Sequence, residues 1–354
     1  MTLRRLTAEN VRCLSEVRLE PAGSNLIFGE NASGKTSLLE AIFILGRGRS
    51  FRTATRDALV RDGEDGLTVS GLVSAGSREI PVGIGIAKQR PPRIRVDGKD
   101  ESSVAALAQW VPVQVIDPQI HQLVDEGPGV RRRFLDWGVF HVEPRFLEAW
   151  RRYHRTVRQR NAALKTSKIG ELDSWDRELA KTGEELSGYR RQYVKLLEKH
   201  LVQLGVQLLD EEPKIIYQQG WPEGKSLGQA LRESRERDLK FGITHMGSHR
   251  SDLEILMDAR QARGRVSRGQ QKLLAATLVL SQVTHLIRDD GVEVILLLDD
   301  LAAELDRQRL RRMQEVISGL RVQLFMTALH RAAVKSWEFD GMFHVEQGEV
   351  RSVL

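Results

Sequence analysis

The run G-E-N-A-S-G-K-T-S at positions 29–37 contains the residue types that grip a chain of phosphates. Gly29, Gly34, Lys35 and Thr36 match G-x-x-x-x-G-K-[ST]. The glycines allow a tight turn and a close approach of backbone N–H groups, so Glu30, Asn31, Ala32, Ser33 and Ser37 are expected at the anion with them. A helix starting near Lys35 would aim its positive end at the same point. Lys35 adds a point charge for the β- and γ-phosphates, and the Thr36 hydroxyl suits Mg2+. The expected chemistry is the binding of ATP with Mg2+.

Such a loop needs a carboxylate at the end of a neighbouring buried strand to orient the cation. V-I-L-L-L-D-D, Val294 to Asp300, supplies one. Its apolar run reads as a strand buried on both faces, with Asp299 emerging at the C-terminal end. Asp299 is assigned to the metal and Asp300 to polarising the attacking water, with helix capping as the alternative for Asp300. A second helix start lies at V-S-R-G-Q-Q-K, where Ser267 is a natural N-cap and Gly269 permits close backbone approach. Taken alone, it reads as an ordinary capped helix.

Three zones must position these groups. From Met1 to about Ile116 the pattern is strand-rich, with strands over Leu3–Ala8, Val17–Leu19, Asn25–Phe28, Leu67–Val73, Ile80–Ala87 and Ile94–Val96. Asp97–Gly98 is a turn, and Thr36–Leu45 has helical spacing. From about Pro118 to Lys240 helices are expected over Val130–Trp137, Arg145–Leu164, Trp175–Leu209 and Leu227–Leu239, with a short strand at Pro213–Tyr217. Beyond Phe241 the texture alternates again: strand Leu253–Met257, helix Ser267–Ile287, strand Val292–Leu298, helix Arg307–Gly319 and strand Val322–Met326. The simplest topology is one α/β domain assembled from 1–116 and 241–354, interrupted by a mainly helical insertion at 117–240.

Composition narrows the class. Hydrophobic residues make up 41% and charged residues 29% of the 354, as in soluble globular proteins. The longest apolar runs are too short to span a bilayer, and the N-terminus has no apolar stretch of the signal-peptide kind. Cys13 is the only cysteine, which excludes an internal disulfide and points to a reducing compartment. A net charge of +6 suits a polyanionic partner.

S-R-G-Q-Q-K, a buried strand ending D-D, and A-A-E-L-D at Ala302–Asp306 together resemble the ABC-type ATPase head of the SMC class. The order is phosphate loop, long insertion, signature motif, Walker B strand, D-loop. L-T-A-E-N-V-R-C-L, the loop with its following L-L-E-A-I-F, G-R-G-R-S-F-R-T, G-P-G-V-R-R-R-F-L-D-W-G and G-S-H-R-S-D-L narrow the resemblance to the RecF family, over essentially the whole chain. It implies a P-loop NTPase fold that binds ATP and DNA, single-stranded, double-stranded or gapped. It implies a head-to-tail homodimer around two nucleotides, acting with RecO and RecR to direct RecA onto gapped DNA and towards SOS induction, in the cytoplasm at the nucleoid. In this sequence Ser267, Arg268, Gly269 and Gln270 would then face the nucleotide of a second copy, Asp306 would lie at the subunit seam, and Arg12 would approach the nucleotide. A lid glutamine is also implied, and Gln114 and Gln119, on either side of Asp117-Pro118, both fit.

Two departures bear on rate. Asp300 stands where many such ATPases have Glu, and Met326-Thr327 occupies the region of a switch histidine, with His330 nearby expected at the surface. Threonine takes no proton at neutral pH. A weak, DNA-stimulated ATPase is expected, well below the ~10 s⁻¹ enzyme median, acting as a timer for dimer release. For DNA, Arg151, Arg155 and Arg158 fall on one helical face with Arg152 and Lys165 near it, and Arg131, Arg132 and Arg133 precede Phe134. Such rows suit phosphate contact, although each could also be a solvated face. Arg47, Arg49, Arg52 and Arg56 offer a different basic surface. The competing readings are an ATPase subunit of a transporter, against which the long Arg-rich insertion argues, and an SMC-like cohesion protein, for which the insertion lacks sustained heptads.

Overall fold

The structure, a computed structural model, describes residues 1–166 and 169–354. The chain begins with β1 (Thr2–Val11), β2 (Leu14–Leu19), β3 (Ser24–Phe28), α1 (Lys35–Arg47), β4 (Gly66–Ala75), β5 (Arg78–Ala87), β6 (Arg93–Val96), β7 (Lys99–Glu101), α2 (Ala105–Trp110) and β8 (Val113–Ile116). It continues through α3 (Gln122–Asp125), α4 (Pro128–Val142), α5 (Phe146–Lys165), α6 (Ile169–Leu209), β9 (Lys214–Gln218), α7 (Leu227–Glu233), α8 (Arg235–Phe241), β10 (Asp252–Met257), β11 (Arg260–Gln261) and α9 (Arg268–Arg288). It ends with β12 (Ile295–Leu298), α10 (Leu301–Glu304), α11 (Arg307–Ser318), β13 (Gln323–Ala328), β14 (Gly341–Glu346) and β15 (Glu349–Ser352). Two compact units result: Met1–Ile120 with Leu286–Leu354, and His121–His285.

In the first unit, apolar residues turn one face of β1, β2, β4 and β5 inward, alternating cleanly in β5 and with a register shift between Leu3 and Arg5 in β1. These strands belong to a sheet ordered β2-β1-β4-β5-β6-β7, antiparallel throughout. Asp97 and Gly98, both left-handed, make the tight turn between its last two strands. The second sheet is ordered β15-β14-β3-β13-β12-β8. Its strands from β14 to β8 are parallel, and β15 pairs antiparallel at the edge. Continuous apolar runs such as Ile295–Leu298 fit a sheet covered on both faces. Helix α1 packs into the same core as both sheets. Leu38, Leu39, Ala41, Ile42, Ile44 and Leu45 are all fully buried, which is the mark of an enclosed helix rather than a surface one. Each buried Leu or Ile contributes about 1.5–3 kcal/mol, so the loop before α1 rests on a firm base.

The second unit is mainly helical, with a small antiparallel sheet ordered β11-β10-β9. Helices α5 and α6 carry buried arginines inward. Arg160 lies 2.6 Å from Asp176 and 2.7 Å from Asp238, and Arg190 lies 2.7 Å from Asp136. The helix expected over Leu227–Leu239 is two helices. Ser234 separates them, its hydroxyl donating to the Leu231 carbonyl and Asp238. Composition drew the second boundary near Lys240, whereas the second unit extends to His285. The reason is pairing: β10 joins β9, from the helical segment, in register from Asp252↔Gln218 to Leu256↔Lys214. Among the described residues no helix is long and apolar enough to cross a membrane.

Candidate nucleotide and metal site

The site of the first unit lies where parallel strands end together. Phe28 is level with Ala328, and Met326 with Leu298, so β3, β13 and β12 finish at one rim. Open α/β sheets hold ligands at that carboxyl rim. The loop 29–34 leaves β3 there. Gly29 has φ 154°, and a Cβ on it would meet the Val345 carbonyl oxygen at 2.1 Å, so no side chain fits. Gly34, at φ 118°, serves as N-cap of α1 without a side chain to cap it. The Leu38 N–H is bonded to the Gly34 carbonyl at 3.0 Å, so the amides just before it open the helix without a helical acceptor. No acidic residue stands in this first turn to offset the dipole.

Three side chains of the loop and the first turn of α1 add to the site. The Lys35 ammonium, 5% exposed, donates to the carbonyls of Gly29 and Glu30, both at 2.8 Å, which leaves one of its three donors. The Ser33 hydroxyl oxygen is buried without a hydrogen-bond partner. The Thr36 hydroxyl lies 3.1 Å from each Asp299 oxygen. Asp299 also accepts from the Thr327 hydroxyl at 2.8 Å, and the same hydroxyl oxygen accepts from the Asp300 amide at 2.8 Å. Burial pushes the Asp299 carboxyl above the usual range, against the hydroxyl donations from Thr327 and Thr36, which favour its charged form. This donor set fits a triphosphate with a hard cation: amides and an ammonium for anionic oxygens, and a hydroxyl with a carboxylate for Mg2+.

Asp300 has φ 52° and occupies the N-cap of α10 without making a side-chain cap bond. Left-handed backbone on a non-glycine residue is held only where surroundings fix it, here the Thr327 bond to its amide. Thr327, read from sequence as a missing proton acceptor, is thus a fully buried holder of both aspartates. His330 is exposed. Gln114 lies within β8 opposite Leu296, whereas Gln119 lies beyond the strand end, on the side of the rim. Glu30, Asn31 and Ala32 are exposed on the loop, and Ser37 is buried, with Cys13 Sγ 3.5 Å from its hydroxyl.

Arg12 is gripped by Glu40, a fully buried carboxylate on α1, through two bonds of 2.9 Å. Ser50 donates to the same carboxylate, and Arg52 lies 3.9 Å from it. Glu40 was not read from sequence. Its signal was an acid in the otherwise apolar run L-L-E-A-I-F, where a buried charge requires a partner.

The second unit holds the other group of expected residues. Ser267 and Gln270 form a capping box at the start of α9: the Ser267 hydroxyl accepts the Gln270 amide at 3.3 Å, and the Gln270 side chain accepts the Ser267 amide at 2.9 Å. The Ser267 O–H remains a donor. Ser267, Arg268 and Gly269 are exposed, and a Cβ on Gly269 would meet nothing within 4 Å. Its own chain does not require glycine there. Asp306, in the first unit, caps α11 by accepting the Arg309 amide at 2.9 Å.

The expected DNA rows separate. Arg131 is 5% exposed, bonded to Asp252 at 2.7 and 2.9 Å and to the Glu126 carbonyl at 2.6 Å. The expectation that it meets DNA does not hold, because its guanidinium is occupied inside the unit. Arg132 is half-buried and donates to the Ser251 carbonyl at 2.6 Å. Arg151, Arg155 and Arg158 are exposed on one face of α5 and have no ion-pair partner among the described residues. Arg152, beside them, pairs with Glu178 and Glu185. Arg49, Arg52 and Arg56 stay at the surface of the first unit, and Arg47 is half-buried.

Residues 2–351 match the family described as the RecF/RecN/SMC N-terminal domain. The chain is 39% identical over 360 residues to the DNA replication and repair protein RecF of Azotobacter vinelandii, covering 99% of this chain and 98% of that protein. It is 37% identical over 357 residues to the protein of the same name from Vibrio vulnificus, covering 99% of each. Its fold matches the structure of the recombination mediator protein RecF-ATP in the RecFOR pathway with a TM-score of 0.90 at 28% identity, over 99% of this chain and 97% of that one. An Smc head domain from Pyrococcus furiosus shares the fold at a TM-score of 0.60 and 13% identity, over 99% and 95% of the two chains.

Proposed function

The chain belongs to the RecF family of SMC-like ATPases, and from that premise we propose that it is a nucleotide-gated DNA-binding protein of recombinational repair and replication. Residues 29–37 would hold the phosphates of ATP, with the α1 amides, Lys35 and the unpartnered Ser33 hydroxyl as donors. Thr36 and Asp299 would hold Mg2+, which would supply positive charge to the phosphate oxygens. Asp300, fixed in its left-handed conformation, orients the attacking water. Hydrolysis is slow because the carboxylate there is short and Thr327 accepts no proton. The observation that carries the nucleotide reading is the Thr36 hydroxyl 3.1 Å from both Asp299 oxygens, at a rim where the phosphate loop also ends.

The remainder of each site comes from a second copy. Ser267 to Gln270 of one protomer close on the phosphates bound by the other. The open space around Gly269 and the spare Ser267 O–H support this. In functional terms the ATPase head comprises 1–116 and 241–354, and 117–240 is an arm. DNA, single- or double-stranded and gapped, meets the Arg151–Arg155–Arg158 row through its phosphates. The pathway partners are RecR and RecO, with RecA loaded downstream, in the cytoplasm. Analytical ultracentrifugation with ATP–Mg2+ tests the shared site. Wild type should dimerise, Lys35→Arg should stay monomeric for want of nucleotide, and Ser267→Arg should bind nucleotide yet stay monomeric. Dimerisation of Ser267→Arg at wild-type affinity would remove the second-copy role.

A further inference from the structure

One carboxylate at the rim has no part in the reading above. Asp117 directly follows β8, which runs parallel to β12 with Ile116 level with Leu298. The Asp299 amide donates to the Ile116 carbonyl at 2.9 Å. Asp117 and Asp299 therefore leave adjacent strands at the same level, on the same rim as the phosphate loop. The Asp117 carboxylate is fixed in direction, because it accepts the backbone N–H of Gln119 just beyond Pro118. Residues level with each other on neighbouring parallel strands turn their side chains to the same face, so the two carboxylates stand side by side at the rim. The cation acting on both is Arg52, whose side chain is 48% exposed and which also lies 3.9 Å from Glu40. Glu40 has its own partner in Arg12, so Arg52 is shared between that ion pair and the two rim carboxylates.

We propose that Asp117 is a further acceptor of the metal site, holding a water of the divalent cation whose other protein contacts are Thr36 and Asp299. The proposal rests on the nucleotide reading. Mg2+ keeps several of its waters in phosphate sites and needs oxygen acceptors around them. Side chains that act from that outer position typically change metal affinity about 10–100-fold. Asp117 has the needed chemistry and stands beside the assigned ligand, and its Gln119 bond uses one of several lone pairs.

The test is the Mg2+ midpoint for binding of a fluorescent ATP analogue, followed in Asp117→Asn. Asparagine keeps an oxygen for the Gln119 amide and loses the charge. Asp117→Ser, whose hydroxyl also supports such a turn, is the second variant should the first fold poorly. The expected result is a midpoint raised about 10–100-fold, with metal-free analogue binding and the thermal midpoint no lower than in wild type. Mn2+ bound to the analogue complex, followed by its electron paramagnetic resonance, should weaken in parallel. Asp299→Asn separates the two levels of inference. If it raises the midpoint and both Asp117 variants do not, Asp117 is only a turn-former countered by Arg52, and this proposal falls alone. If Asp299→Asn has no effect, or wild type binds no analogue, the nucleotide reading falls and Asp117 with it.

Discussion

Lys35 in the first unit and Arg160 in the second are both buried cations, 5% and 0% exposed. Arg160 faces the carboxylates of Asp176 and Asp238 and the Thr244 hydroxyl, all within 2.9 Å. Lys35 faces only carbonyls, at 2.8 Å, and near it stand a buried hydroxyl and helix amides without acceptors. A buried charge compensated by its own chain holds a fold together, because removing it strands its partners. A buried charge surrounded by donors, with its counter-charge missing from the chain, marks a place for an anion from outside. The two helix starts differ in degree: at α9 the Ser267 hydroxyl takes the Gln270 amide and leaves those of Arg268 and Gly269 open, whereas at α1 no side chain takes any amide.

The comparison breaks first at Arg160. Arg160→Met leaves the buried Asp238 without its guanidinium and Asp176 with Arg235 alone, and should destabilise the protein by about 3–5 kcal/mol in chemical denaturation. A change under about 1 kcal/mol would mean that the network is not structural. Lys35→Arg is the counterpart. Its fork cannot repeat the ammonium's two carbonyl bonds, so ATP affinity should fall about 100-fold, close to 2.7 kcal/mol, with little change in unfolding midpoint. Equal losses of stability and binding would erase the distinction between the two cations.

A pH titration sharpens the picture of the second unit. Burial lowers His154 and His249 to about 4 from the usual 6.5. The unfolded chain therefore takes up protons that the folded chain refuses. Stability from these rings is complete above pH 6.5 and is lost as pH falls towards 4. The loss should be about 2 kcal/mol, less than the full shift implies, because both rings keep some contact with water. Tyr153 to Phe should reduce it by removing the 2.7 Å bond to His249. The smallest effect belongs to the exposed row. Arg155→Gln should leave stability within about 0.5 kcal/mol while lowering the slope of DNA affinity against salt by about one.

Sequence revealed the parts of this site that are contiguous. The loop 29–37 and the strand ending at Asp299 each carry their meaning in a few adjacent residues. Periodicity located helices but not their ends: α4 runs Pro128–Val142 where 130–137 was expected, and the 41-residue α6 extends beyond the expected 175–209. What depended on pairing between distant segments was hidden. The strand β8 has four residues and no alternation, so nothing local places Asp117 beside Asp299. The return of strands after Phe241 looked like a return to the first unit until β10 paired with β9. Arg131 was misread as a surface cation within R-R-R. Its face was legible, since Phe134, Leu135 and Gly138 follow at helical spacing and are buried.

Mixing the two site variants tests the two-copy site most directly. Lys35→Arg retains its α9 start, and Ser267→Arg retains its phosphate loop, so a mixed dimer contains one site with both halves intact. Sedimentation of the mixture with ATP–Mg2+ should show dimers that neither variant forms alone. If the mixture stays as monomeric as its components, each chain must complete its own site, and the shared arrangement is wrong.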